Sequence, residues 1–252
     1  MLRAVAIAAL VLVLVPVAAA ARIEPSWDAN VARAEAYAAT RAGIESFVVR
    51  DESGRGHGRA VRRVVHSASV LKAMLMVAYL RQPSVRHRDL TDADRALLRP
   101  MIRWSDNATA SRLVVMLGPA PLHDLAARAQ MDHFRLDSPW GTSEITARGQ
   151  SKFFRRIERL MPRRHREYGM RLLNRIVPSQ RWGIPPVKPE GWRIYFKGGW
   201  GDGSGVVTHQ VALLKRGDRR VSLAILTTAN PSHRYGTETI RGIAKRLLRG
   251  LR

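Results

Sequence analysis

No cysteine occurs among the 252 residues. That excludes disulfides, thiolate catalysis, cysteine-based zinc sites and a lipid anchor on a cysteine, and it leaves the redox compartment open. Acids are scarce as well, with 20 Asp and Glu against 43 Lys and Arg, for a formal net charge of +23. Lysine is scarcer still, since 37 of those 43 cations are arginine. The eight histidines show no His-x-x-x-His or comparable ligand spacing, so neither a metal nor another cofactor is expected. No internal repeat or low-complexity segment follows residue 21.

What remains is ordinary for a globular protein, at 46% apolar and 25% charged residues, which argues against wholesale disorder. The length suits one large domain or two lobes sharing a cleft. Met1-Leu2-Arg3 is a basic start to an apolar run, Ala4 to Ala21, that is broken by Pro16 and ends in small residues. Residues 1–21 therefore read as a secretory signal, with an uncleaved anchor as the alternative. The protein is expected to be secreted, periplasmic or associated with the cell wall. In that setting the positive charge fits adhesion to anionic wall polymer or a membrane surface, or merely reflects arginine-rich codon usage; nucleic acid is not an expected partner. Arginine cannot act as a neutral amine, whereas a buried lysine can. Each of the six lysines is therefore a candidate for chemistry.

Lys72 is the first such candidate. It is the one charge in the apolar run from Val70 to Leu80; with no Gly or Pro before Pro83, the stretch from Val70 reads as a buried helix of about fourteen residues with Ser69 at its mouth as cap. Lys72 follows Ser69 by three positions and so lies on the same helical face. Ser-x-x-Lys can serve as a nucleophile with a neighbouring base at a helix mouth whose free N–H groups stabilise an oxyanion. It can equally be a capping serine and a snorkelling lysine.

Around this stretch, a helix is expected over 26–41 and strands over 44–50 and 58–65. Helices follow near 91–100, 108–117, 121–131, 145–160 and 164–177, with Pro100 ending or kinking the first of them. Strands over 192–197, 205–215 and 220–228 and a closing helix over 233–251 complete the chain. The pattern implies an α+β fold, with an antiparallel sheet of about five strands built from both termini and flanked by the terminal helices. The central helices form a second, all-helical lobe. The boundaries expected are 1–21 for the signal and 22–252 for a single domain, with a sheet lobe over 22–66 and 190–252 and a helical lobe over 67–189.

Two further motifs fall at telling places. Trp104-Ser105-Asp106-Asn107 sits between two predicted helices, where a helix cap is the plain reading. A Ser-Asp-Asn triplet is nevertheless expected by chance only about 0.01 times in such a chain. Lys197-Gly198-Gly199-Trp200 ends a predicted strand.

In this order and on these elements, the three motifs resemble those of the penicillin-recognising serine enzymes, and class A β-lactamases most closely. The resemblance spans nearly all of the chain after residue 21. It implies Ser69 as the acylated nucleophile, Lys72 as its base or proton relay, and Ser105 as proton donor to the leaving nitrogen. It further implies Asn107, Lys197, Gly199 and Trp200 as the substrate-binding set, with the backbone N–H groups of Ser69 and Trp200 forming the oxyanion hole. The substrate would be a β-lactam or a peptidoglycan-like amide of the D-Ala-D-Ala type, and the enzyme a monomer. A largely inactive wall- or membrane-binding module on the same fold is the alternative from another class. Two departures stand out. Gly198 replaces the usual Thr or Ser, and no Glu-x-x-Leu-Asn segment supplies the acid that activates the deacylating water. Glu144 is the candidate to replace that acid.

Overall fold

A computed structural model describes residues 25–202 and 205–252. The expected signal, 1–21, lies outside the described residues. Five antiparallel strands form the main sheet, in the order β2 (Gly56–Arg59), β1 (Ile44–Arg50), β8 (Arg219–Thr228), β7 (Val207–Arg216), β6 (Arg193–Gly201). The first two come from one end of the chain and the last three from the other, as expected. Strands β7 and β8 turn through Gly217, which takes a left-handed φ of 57°.

Helix α6 (Ala147–Leu160) and helix α8 (His233–Leu247) cover opposite faces of this sheet. Ser222 on β8 donates its hydroxyl to Ser151 O of α6 at 2.9 Å. Thr208, paired across the strands with Thr227, meets His233 of α8 at 3.1 Å. Residues 222 and 227 differ by an odd number and so point to opposite faces. Coverage on both sides explains why β7 and β8 are buried almost throughout. Helix α1 (Trp27–Ala38) packs mainly on α8 and less on the sheet, whereas its one-sided apolar stripe of Trp27, Val31, Ala34 and Ala38 predicts packing on the sheet.

Helices α2 (Leu71–Leu80), α3 (Asp92–Arg103), α4 (Asn107–Leu117), α5 (Ala120–Arg128) and α7 (Arg166–Asn174) build the other lobe. Every residue of α2 is buried. Thr91 and Asp94 close a reciprocal capping box at the start of α3. That helix runs on through Pro100 to Arg103 instead of stopping there. The second expected strand, 58–65, is cut short: β2 ends at Arg59, and Ala60 turns with a left-handed φ of 48°. The chain then enters a separate small sheet of two-residue strands, β3 (Val65–His66), β5 (Glu144–Ile145) and β4 (Phe134–Arg135), so the second lobe is not purely helical.

Candidate active site

Ser69 lies in a single 3-10 turn, Ala68–Val70, that leads directly into α2. Ser67, not Ser69, stands at the N-cap of this turn, and among the described residues the Ser69 hydroxyl makes no hydrogen bond, so it is left for other work. Ala68 is held at φ 43°, a left-handed conformation that an alanine adopts only when its surroundings impose it. Those surroundings are visible. Ser67 N donates to Ser143 O at 2.7 Å, and β6 presses on the turn from the other side. A Cβ at Gly199 would stand 2.8 Å from both Ser69 N and Val70 N, so only glycine lets the strand approach this closely.

Lys72 is fully buried. Its ammonium donates to Asn107 Oδ1 at 2.7 Å, to Ser105 Oγ at 3.2 Å and, by a short contact, to the Ser105 carbonyl. Burial lowers its pKa to about 8, and the Asp106 carboxylate only partly opposes that. Lys197 is also fully buried and donates to Ser105 Oγ at 3.0 Å and to Gly198 O at 2.7 Å. Desolvation, with the charge of Lys72 acting the same way, holds it well below the ordinary lysine range. Ser105 Oγ thus bridges two amines. A hydroxyl so placed accepts from one amine and can pass its own proton to the other when that one is neutral.

The segment around Ser105 is folded to permit this. Asp106 caps α4, its Oδ1 accepting from Thr109 N at 2.7 Å, which is the plain reading of the motif. The cap sets Asn107 at the first turn of α4, aimed at Lys72. Ser105 itself sits at φ 61°, so two left-handed non-glycine residues, Ala68 and Ser105, flank the buried lysine. Lys197 lies within β6, which continues to Gly201 instead of ending at the lysine as expected.

A cavity of about 410 Å³ opens over Ser69. Asn107, Ser111, Trp140, Trp200 and His66 help to line it, with the two lysines buried beneath. No Asp or Glu lines it among the described residues. Glu144 is not brought to this cavity. Its carboxylate is bound by Arg135 at 2.5 Å and His133 at 2.8 Å, and it borders a separate depression with Arg63 and Val64. Those two partners hold its pKa down to about 2. The expectation of a carboxylate poised by the nucleophile is corrected here: the short strand β5 turns Glu144 toward β4, where a basic partner claims it.

Three residues that the sequence reading passed over matter to the site. Trp140 covers Lys72, with the amine 5.0 Å from the ring centroid, and donates its indole N–H to Ser111 Oγ at 3.0 Å. Trp182 fills the space beside Gly198, where a Cβ would come within 2.9 Å of its ring. The missing hydroxyl at 198 is thus matched by an indole. His209, opposite Gly199 in the β6–β7 register, reaches His66 O at 2.9 Å and ties the sheet to the strand that leads into Ser69. At 6% aromatic residues each tryptophan stands out in the sequence, but the place of Trp140 and Trp182 beside the motifs is made by the fold.

A model of the β-lactamase enzyme family matches residues 94–251, well over half of the chain. The chain belongs to the β-lactamase enzyme family. The matched segment holds Ser105, Asn107 and Lys197 but begins after Ser69 and Lys72, which join the site through the geometry above. Solved structures agree on the fold. A β-lactamase from Sphaerobacter thermophilus superposes with TM-score 0.76 at 20% identity, over 89% of this chain and 97% of its own. The class A β-lactamase of Mycobacterium abscessus gives 0.74 at 20%, over 88% and 99%. A β-lactamase from Desulfarculus baarsii gives 0.72 at 22%, over 88% and 98%. No curated protein sequence matches the chain. The fold is therefore that of class A β-lactamases, with a family-typical sheet and helical lobe.

Proposed function

We propose that this protein is a serine acyl-transfer hydrolase that opens β-lactam amides through an acyl-Ser69 ester and releases that ester slowly. The observation that carries the reading is the hydroxyl of Ser105 bonded to both Lys72 and Lys197, beside the cavity that Ser69 lines. Neutral Lys72 takes the Ser69 proton as Oγ attacks the carbonyl carbon. The backbone N–H groups of Ser69 and Trp200 hold the developing oxyanion. Ser105 then gives its proton to the leaving nitrogen and is resupplied from the lysine pair, and the C–N bond breaks. Asn107 keeps Lys72 aimed.

Deacylation lacks this support. No carboxylate lines the cavity among the described residues, and Trp140 roofs the lysine. General-base help of this kind is worth about 10²–10⁴-fold. The acyl-enzyme therefore accumulates. Stopped-flow turnover of a chromogenic cephalosporin tests this: a stoichiometric burst followed by a slow phase is expected, absent in Ser69→Ala. Fast, burst-free turnover contradicts it.

The same absence of a hydrolytic base favours a second reading, a cell-wall peptidase acting on D-Ala-D-Ala-type amides, for which β-lactams are slow inhibitors. Release of D-Ala from a muropeptide outpacing cephalosporin turnover would decide for it. Either reading calls for export, which rests on residues 1–21; N-terminal sequencing of the protein recovered from an expressing cell tests cleavage near Ala21.

A further inference from the structure

The arginine excess is not spread evenly over the surface. The cavity above Ser69 has no Arg or Lys side chain on its wall among the described residues. A second groove, of about 530 Å³, is lined by Arg163, Arg166, Arg171, Arg175, Arg193 and Lys215. It runs between α7, the turn before it and the start of β6. Two acids border it, and both are engaged: Glu158 with Lys215 and Arg220 at 2.7 and 2.5 Å, Glu167 with Arg171 at 2.8 Å. Among the described residues no carboxylate pairs with Arg163, Arg175 or Arg193. All three are exposed.

Sheet register adds a separate argument. Arg193 on β6 is directly opposite Lys215 on β7, which is directly opposite Arg220 on β8. Like charges placed opposite one another across strands are destabilising. Glu158 answers the two inner members of this row, while Arg193 at the free edge of the sheet has no acid.

We propose that this groove binds a phosphodiester polymer with a non-aromatic backbone. The arginine fork matches phosphate oxygens in pairs, and several such forks along one groove favour a multivalent anion over a single one. The groove is concave and, apart from Met170 and Tyr195, polar, which is a poor fit to a flat lipid surface. A single aromatic, Tyr195, gives no stacking platform for bases. From Arg193 to Gly199, six residues of β6 span about 20 Å, so the groove lies about that far along the strand from the turn that carries Ser69.

The test is fluorescence anisotropy of a labelled poly(glycerol phosphate) oligomer with full-length Ser69→Ala protein, so that acyl chemistry plays no part. Three phosphate contacts, one each from Arg163, Arg175 and Arg193, predict an affinity loss on the order of twentyfold between 50 and 200 mM salt. Arg175→Glu with Arg193→Glu should weaken binding at least about tenfold. The charge-matched pair Arg62→Glu with Arg241→Glu, exposed elsewhere, should leave it within about twofold. Arg175→Gln with Arg193→Gln, which removes charge without reversing it, should give a smaller loss in the same direction, and circular dichroism checks that each variant is folded. No binding at 50 mM salt, equal loss in the two reversed pairs, or tighter binding to phosphatidylglycerol vesicles or a single-stranded oligonucleotide at equal phosphate overturns the proposal.

Discussion

His209 uses both ring nitrogens in a way that admits one protonation state. Its Nδ1 accepts from Thr227 N–H at 3.1 Å, and its Nε2 donates to His66 O at 2.9 Å. A second ring proton would point at an N–H. Full burial adds to this and lowers its pKa from 6.5 to about 4. The native state thus stays neutral while the unfolded chain takes up a proton, so stability is complete above pH 6.5 and falls as pH drops toward 4. Between pH 7 and 4.5 this one residue should cost about 2 kcal/mol. Urea unfolding at both pH values, on wild type and His209→Gln, measures it as the part of the decline that the variant lacks.

Lys72 makes the opposite use of a lowered pKa. At about 8, roughly a tenth of it is the neutral amine at pH 7, against well under a thousandth for an exposed lysine. The acylation rate constant should therefore rise with pH through an apparent midpoint near 8 and level off above it. Lys72→Arg should lower it by about 10²–10⁴-fold at every pH, because arginine stays charged. A flat pH profile in wild type would show that Lys72 is not the base.

At the level of elements, the close fit of β6 to the Ser69 turn and to Trp182 decides what can be changed. Gly199→Ala drives a methyl against two backbone nitrogens and should cost about 1–3 kcal/mol and most of the acylation rate. Gly198→Thr should cost a similar amount by meeting the Trp182 ring, and Trp182→Ala should recover much of it, a coupling that a double-mutant cycle on melting temperature reads directly. Periodicity and punctuation were enough to read α1, α2, α4 to α8, β1 and the late hairpin from the sequence. Two-residue strands carry no period, so β3, β4 and β5 were invisible, and with them the pairing that turns Glu144 away from Ser69. Pro100 misled because it stands only one turn from the natural end of α3. The lysines were legible for a compositional reason, being the rare cation. Trp140, Trp182 and His209 were not, because their roles depend on what the fold brings beside them.

For the whole molecule, the sheet order puts β6 at an edge, where it faces the helical lobe and joins both regions discussed above. One end of the strand meets Ser69, and the other borders a basic groove. The charge of +23 is thus kept off the reactive cavity and gathered elsewhere, while the two cations at the site are buried and share one hydroxyl. The proposed chemistry requires that site to make a covalent bond. Intact-mass measurement after brief incubation with benzylpenicillin, followed by peptide mapping, tests it most directly. One adduct per chain, located on Ser69, persisting for minutes and absent from folded Ser69→Ala, is the result expected. No adduct on folded protein, or an adduct that survives Ser69→Ala, would contradict it.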